Sequence, residues 1–149
     1  MSSINIDLSS ISPLISSIES CLEKDRQKLQ DIVNRNKDLN TYEDMIKSSS
    51  LVKNYGACAD DYSKVCFLKT GVSESILDLK TFRRAILSPE CNIPPSLVRT
   101  YKIRIDSLVE DLGIFKESIE STRLGLEARV RYYSSCTYNS YVSTMGAKC

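Results

Sequence analysis

The sequence contains no histidine and no tryptophan, and only 5 glycines and 4 prolines among 149 residues. Without an imidazole, Ser-His-Asp and Cys-His nucleophiles, HExxH metal sites and Cys₂His₂ zinc sites are all excluded. Charge of neither sign prevails: 20 Lys and Arg face 19 Asp and Glu, for a net charge of +1. That balance argues against a surface that grips nucleic acid over its whole extent. No apolar run approaches the ~18 residues that a membrane-spanning helix needs, so no membrane span is expected. The opening residues, Met1 to Asp7, carry neither a basic stretch nor an apolar one, so no signal peptide is expected there. The expected location is the cytoplasm or another reducing compartment, including the interior of a large particle.

Glycine-rich phosphate loops and nucleophile elbows are also missing: there is no GxxxxGK[ST], GxGxxG or GxSxG. The six cysteines, Cys21, Cys58, Cys66, Cys91, Cys136 and Cys149, include no CxxC or CxxxC pair, which removes the usual zinc-cluster spacing. Buried free thiols are the expected reading, with disulfides as the alternative. The acidic pairs Asp60-Asp61 and Glu110-Asp111 do not each form a metal site, because neighbours on a helix point about 100° apart. They are expected on solvated helix faces. No catalytic residue, cofactor or metal ligand is expected, and the chain is not expected to be an enzyme.

What is present is helical periodicity. A hydrophobic share of 42% suffices for a core. The first amphipathic helix is expected over residues 12–46, with Ser12 as its N-cap and Pro13 at its first position. Ile11, Leu14, Ile15, Ile18, Cys21, Leu22, Leu29, Ile32, Val33 and Leu39 form one stripe, opposite Glu19, Glu23, Arg26, Gln27, Gln30 and Lys37. Asp25 and Asn36 interrupt that stripe. Polar residues inside a seam set register and orientation at some cost in stability; a bend or fray at these points is the alternative. A break is expected near Asn40, and Ser48 to Ser50 mark a junction.

Two short helices are expected next, over 51–69 and 73–88. The first carries Leu51, Tyr55, Cys58, Tyr62, Val65 and Cys66 at spacings of three and four. Thr70-Gly71-Val72-Ser73 is expected to be a turn, with Ser73 capping the second helix, whose apolar side is Ile76, Leu77, Leu79, Phe82, Ile86 and Leu87. Ser88-Pro89 ends it, since a residue before proline is pushed out of the helical region.

After the rigid stretch Cys91 to Ser96, a long helix is expected over 95–141, followed by a tail over 142–149. Its heptad seam is Val98, Tyr101, Ile105, Leu108, Leu112, Phe115, Ile119, Thr122, Leu126, Arg129 and Tyr133, nine of eleven positions apolar at strict 3-4 spacing. Arg129 on the seam suggests a carboxylate partner on another helix. Such a helix is roughly 67 Å long at ~1.5 Å per residue, with Gly113 and Gly125 as candidate bends. A second apolar face, Ile103, Ile114 and Tyr132, projects about 150° from Val98, where a fully solvated face carries few such residues. From Tyr132 to Met145 the chain holds four tyrosines and no charge, the composition of an adaptable contact surface.

The expectation is therefore one all-α domain over 1–149, a helical bundle or coiled coil of three to four helices with a long C-terminal helix. Its expected role is a non-catalytic structural or assembly subunit of a virion or cytoskeletal type. Its seam of Val98, Tyr101, Ile105, Leu108, Leu112, Phe115, Ile119, Leu126 and Tyr133 would self-associate or join protein partners. Two alternatives compete. One is a coat-type protein that contacts phosphate through Arg83, Arg84, Arg99, Lys102 and Arg104 with stacking tyrosines. The other is a helical effector stapled by disulfides.

Overall fold

The computed structural model describes residues 8–36 and 51–144, with side chains described over 10–36 and 56–135. The opening residues 1–7, the continuation of the first helix to residue 46, the break near Asn40, the serine junction and residues 145–149 of the expected tail all lie outside the described residues. The described chain is all-α: α1 spans Leu8–Arg35, α2 spans Leu51–Ile86 and α3 spans Pro95–Thr144. Among the described residues, no helix is long and apolar enough to cross a membrane.

The expected helix boundaries are corrected: α2 ends at Ile86 rather than 88, α3 runs to Thr144 rather than 141, and two larger differences follow. α1 begins at Leu8, and Pro13 lies inside it rather than at its first position. Proline this close to a helix start removes a single backbone donor. The turn before it stays helical because Ile11 and Ile15, one turn apart, are both buried. The second correction is larger: the turn expected at residues 70–73 does not exist, and residues 51–69 and 73–88 belong to one continuous helix. Val72, at the centre of that expected turn, is only 2% exposed. Cys58, Asp61, Val65, Leu68, Val72, Leu79 and Ile86 follow one heptad register across Gly71, so apolar burial holds the helix through a poor helix former.

The described core divides into two compact units, and each helix contributes to both. In the first unit, α1 provides Ile11, Ile15 and Leu22, α2 provides Val72, Leu79 and Ile86, and α3 provides Ile105, Leu108, Leu112 and Phe115. Ile93, in the connector, is buried with them. In the second unit, Leu29 and Ile32 of α1 pack in a core with Cys58, Val65 and Leu68 of α2 and Ile119, Leu126 and Tyr133 of α3. There α2 and α3 run antiparallel: Tyr62 bonds Arg123, while Cys58, one turn earlier, feels the charge of Arg129, further along α3.

The connector from α2 to α3 follows from its prolines and serine. Ser88 carbonyl accepts from Cys91 N–H at 3.0 Å, and Ser88 Oγ accepts from Glu90 N–H at 3.3 Å. Pro95 opens α3, where its missing N–H has no helical acceptor to lose. The Pro94 carbonyl accepts from both Leu97 and Val98 N–H at 3.0 Å.

Candidate functional site

The feature with the most chemistry is a polar cluster in the core of the second unit. Asn36 and Asp61 are the buried polar residues among the described core, each 6% exposed. They bond each other: Asn36 Nδ2 donates to Asp61 Oδ2 at 3.1 Å and to the Ile32 carbonyl at 2.7 Å. Arg35 Nη2 donates to the other carboxylate oxygen of Asp61 at 2.9 Å. Cys58 Sγ lies 3.8 Å from Asn36 Oδ1, as a weak donor to it. Arg35, half exposed, reaches in from solvent, and its bond to Asp61 raises its affinity for its proton above the ordinary value.

From α3, Arg129 lines a cavity of about 180 Å³ together with Val33, Asn36 and Leu126, and Gly125 leaves that cavity open on one side. Asn36 continues the α1 seam after Leu29 and Ile32. Asp61 sits between Cys58 and Val65 on the α2 seam, and Arg129 between Leu126 and Tyr133 on that of α3. Asn36 directly after α1, Asp61 of α2, and Thr122 and Arg129 of α3 thus place polar residues at seam positions in the same unit.

The placement of Asp61 corrects the expectation of a solvated acidic pair. Asp60 does face solvent, paired with Lys64 at 3.0 Å, while Asp61 points into the core. Its seam position was the signal: three residues after Cys58 and four before Val65. The expectation of buried thiols holds for Cys58 and fails for Cys21, which is exposed although it was assigned to the α1 stripe. Leu22 takes the buried position beside it. Cys66 and Cys91 are partly buried, and all four are free thiols.

Burial pushes the Cys58 thiol above its ordinary pKa, with Arg129 opposing and Asp61 adding to the rise. A thiol that keeps its proton longer when folded makes the unfolded chain the weaker proton binder above pH ~8.5, so stability falls as pH rises beyond that point. The expected outcome of pulse alkylation with iodoacetamide, read by peptide mass mapping, is rapid labelling of Cys21 and labelling of Cys58 only at the rate of opening. Equal rates at the two would contradict the burial of Cys58.

The seam residues of α3 lie in the chain's own core. Ile105, Leu108, Leu112, Phe115, Ile119, Leu126 and Tyr133 are buried, and Val98, Tyr101, Thr122 and Arg129 are partly buried. A charge at Leu112 therefore strikes the fold before any assembly. The second face is outside that core: Ile103 is 63% and Ile114 58% exposed, while Tyr132 is partly covered and meets Tyr133 edge to face at 5.6 Å. Leu14, Leu77 and Leu87, expected on inner faces, are also exposed.

Two of the five candidate phosphate contacts are held in ion pairs within the chain. Arg83 Nε donates to Asp106 at 2.7 Å, and Arg104 bonds Glu19, Ser12 and Ser16 of α1. Arg84 and Arg99 are exposed and Lys102 is partly buried. Near the polar cluster, Arg123 is held between Glu120 and Glu127 and bonds Tyr62, which strengthens its hold on its proton.

Periodicity missed the buried Leu68 and, among the exposed large apolar residues, Phe67, which is 81% exposed. It edges a groove of about 520 Å³ between α1 and α2, floored by Ile32 and Leu68 and rimmed by Lys28, Asp31, Arg35 and Lys64. Among the described residues, no group of three or more His, Cys, Asp or Glu is placed to hold a metal ion. No family model, curated protein or solved structure matches the chain.

Proposed function

We propose that this chain is a non-catalytic structural subunit that joins protein partners, itself included, through apolar positions left outside its own core. The observation that carries this reading is the division of its apolar residues. The heptad seam of α3 is occupied within the chain, while Phe67, Ile103 and Ile114 stand largely in water. Single exposed aliphatic residues are ordinary on protein surfaces. A phenylalanine beside an open apolar groove with a charged rim has instead the composition of an interface: an aromatic anchor surrounded by polar groups. The outer faces are the proposed contact surface because most seam residues of α3 are buried in the chain's own core.

The test is mass by light scattering after size exclusion, over a wide range of protein concentration, for the wild type, Phe67→Ser and Ile103→Ser/Ile114→Ser. The expected result is a mass above one chain for the wild type that returns to one chain in at least one variant, with helicity unchanged. A wild type that stays at one chain throughout, and whose binding of co-purifying proteins is the same in all three forms, would remove these positions from the proposal.

A further inference from the structure

We infer that the polar layer of Asn36, Asp61 and Arg129 selects the register in which the three helices pair, and so keeps their heptad seams paired within one chain. Apolar heptads are weakly specified by themselves. A slip of one heptad sets Leu and Ile against Leu and Ile again, and a helix of a second chain can replace the chain's own by the same apolar contacts. α1, α2 and α3 are open to both errors, since each repeats apolar residues at heptad spacing along its length.

The polar layer removes that degeneracy. Asp61 is buried and accepts from two donors, Arg35 and Asn36, that lie side by side at the end of α1. A slip of α1 by one heptad that brings Leu29 to the place of Asn36 takes the buried amide donor away and leaves the carboxylate only the exposed Lys28, in the place of Arg35. A buried carboxylate that loses a buried donor to an apolar side chain is disfavoured. Asn36 is committed as well, with its amide shared between Asp61 and the Ile32 carbonyl and its oxygen facing Cys58. The two buried polar residues of the described core are thus each other's partners, one directly after α1 and one on α2, each in line with its seam. Arg129 brings the third helix into the same layer, on the cavity that Asn36 also lines. A polar residue at a single seam position is an attested device for fixing register and the number of strands at some cost in stability.

The experiment replaces the whole layer at once, in the triple variant Asn36→Leu/Asp61→Leu/Arg129→Met. It is made in a Phe67→Ser background, which lowers association through the outer groove in parent and variant alike. Helicity, mass distribution and the mixing of separately labelled chains are compared with the Phe67→Ser parent. The expected result is retained helicity with a mass distribution broader than the parent's, and chain mixing beyond that of the parent. A mass distribution and a hydrogen-exchange pattern matching those of the parent would overturn the inference. Loss of helicity would overturn it equally, because the layer would then be a source of stability rather than a selector. Because parent and variant share the altered surface, failure of the proposed docking faces leaves this comparison intact.

Discussion

Gly71→Pro is expected to destabilise the chain by about 3 kcal/mol or more, the ordinary penalty of proline inside a helix. Residue 71 lies in the middle of α2, and its exposed position leaves open space where a side chain would start. The proline would remove the N–H that bonds the Phe67 carbonyl and push its ring against that carbonyl. The resulting kink falls beside the buried Val72. At ~2–4 °C per kcal/mol for a chain of this size, thermal melting followed by circular dichroism should shift down by roughly 10 °C. Gly71→Ala should move the other way, by about 0.4–1 kcal/mol, since alanine fits the open space and restricts the unfolded chain. Were residues 70–73 a turn, as their composition suggests, proline would cost little and alanine would bring no gain. The pair of variants therefore decides between one helix and two.

The second large effect is at Asp61. Asp61→Ala removes the acceptor of two bonds at once and leaves one N–H of the Asn36 amide in the core without its partner. An unsatisfied buried donor costs about 1–3 kcal/mol, and breaking a buried ion pair about 3–5 kcal/mol. Because Arg35 is half exposed, its charge returns to water and the upper figure does not apply. The expected loss is about 3 kcal/mol. Asp61→Asn keeps the shape and one of the two acceptor oxygens, enough for the Asn36 amide but with its own NH2 turned to the half-exposed Arg35, and should lose less than Asp61→Ala. Urea unfolding of the three proteins, with the slope of each transition compared, checks both expectations. The same comparison at Asp60 is the control. Its pair with Lys64 is exposed on both sides, so Asp60→Ala should change stability by less than ~1 kcal/mol.

These two positions also mark where the sequence could and could not be read. The α3 seam was legible because its apolar residues keep strict heptad spacing for five repeats, a signal that local composition does not interrupt. Asn36 and Arg129 were legible as polar breaks in otherwise apolar stripes. Asp61 was not, because the adjacent Asp60 made the pair look like an ordinary solvated face. Only the heptad count from Cys58 through Val65 to Val72 separates the two aspartates. The continuity of α2 was hidden for a related reason. Thr70, Gly71 and Ser73 are local breakers, while Val72 carries the tertiary burial that overrides them. Phe67 escaped notice because periodicity singles out residues that belong to a buried stripe. A large apolar residue outside every stripe gives no periodic signal, although its very absence from the register is what exposes it.

The central claim is that the seams of the helices are occupied within a single chain, which leaves the outer faces for partners. Hydrogen exchange of the α3 backbone over residues 105–126, followed by mass spectrometry at serial dilutions of the protein, tests it most directly. Seams covered by the chain's own α1 and α2 give protection that does not depend on concentration. Protection over those residues that falls as the protein is diluted would show that a second chain covers the seam, and would contradict the claim.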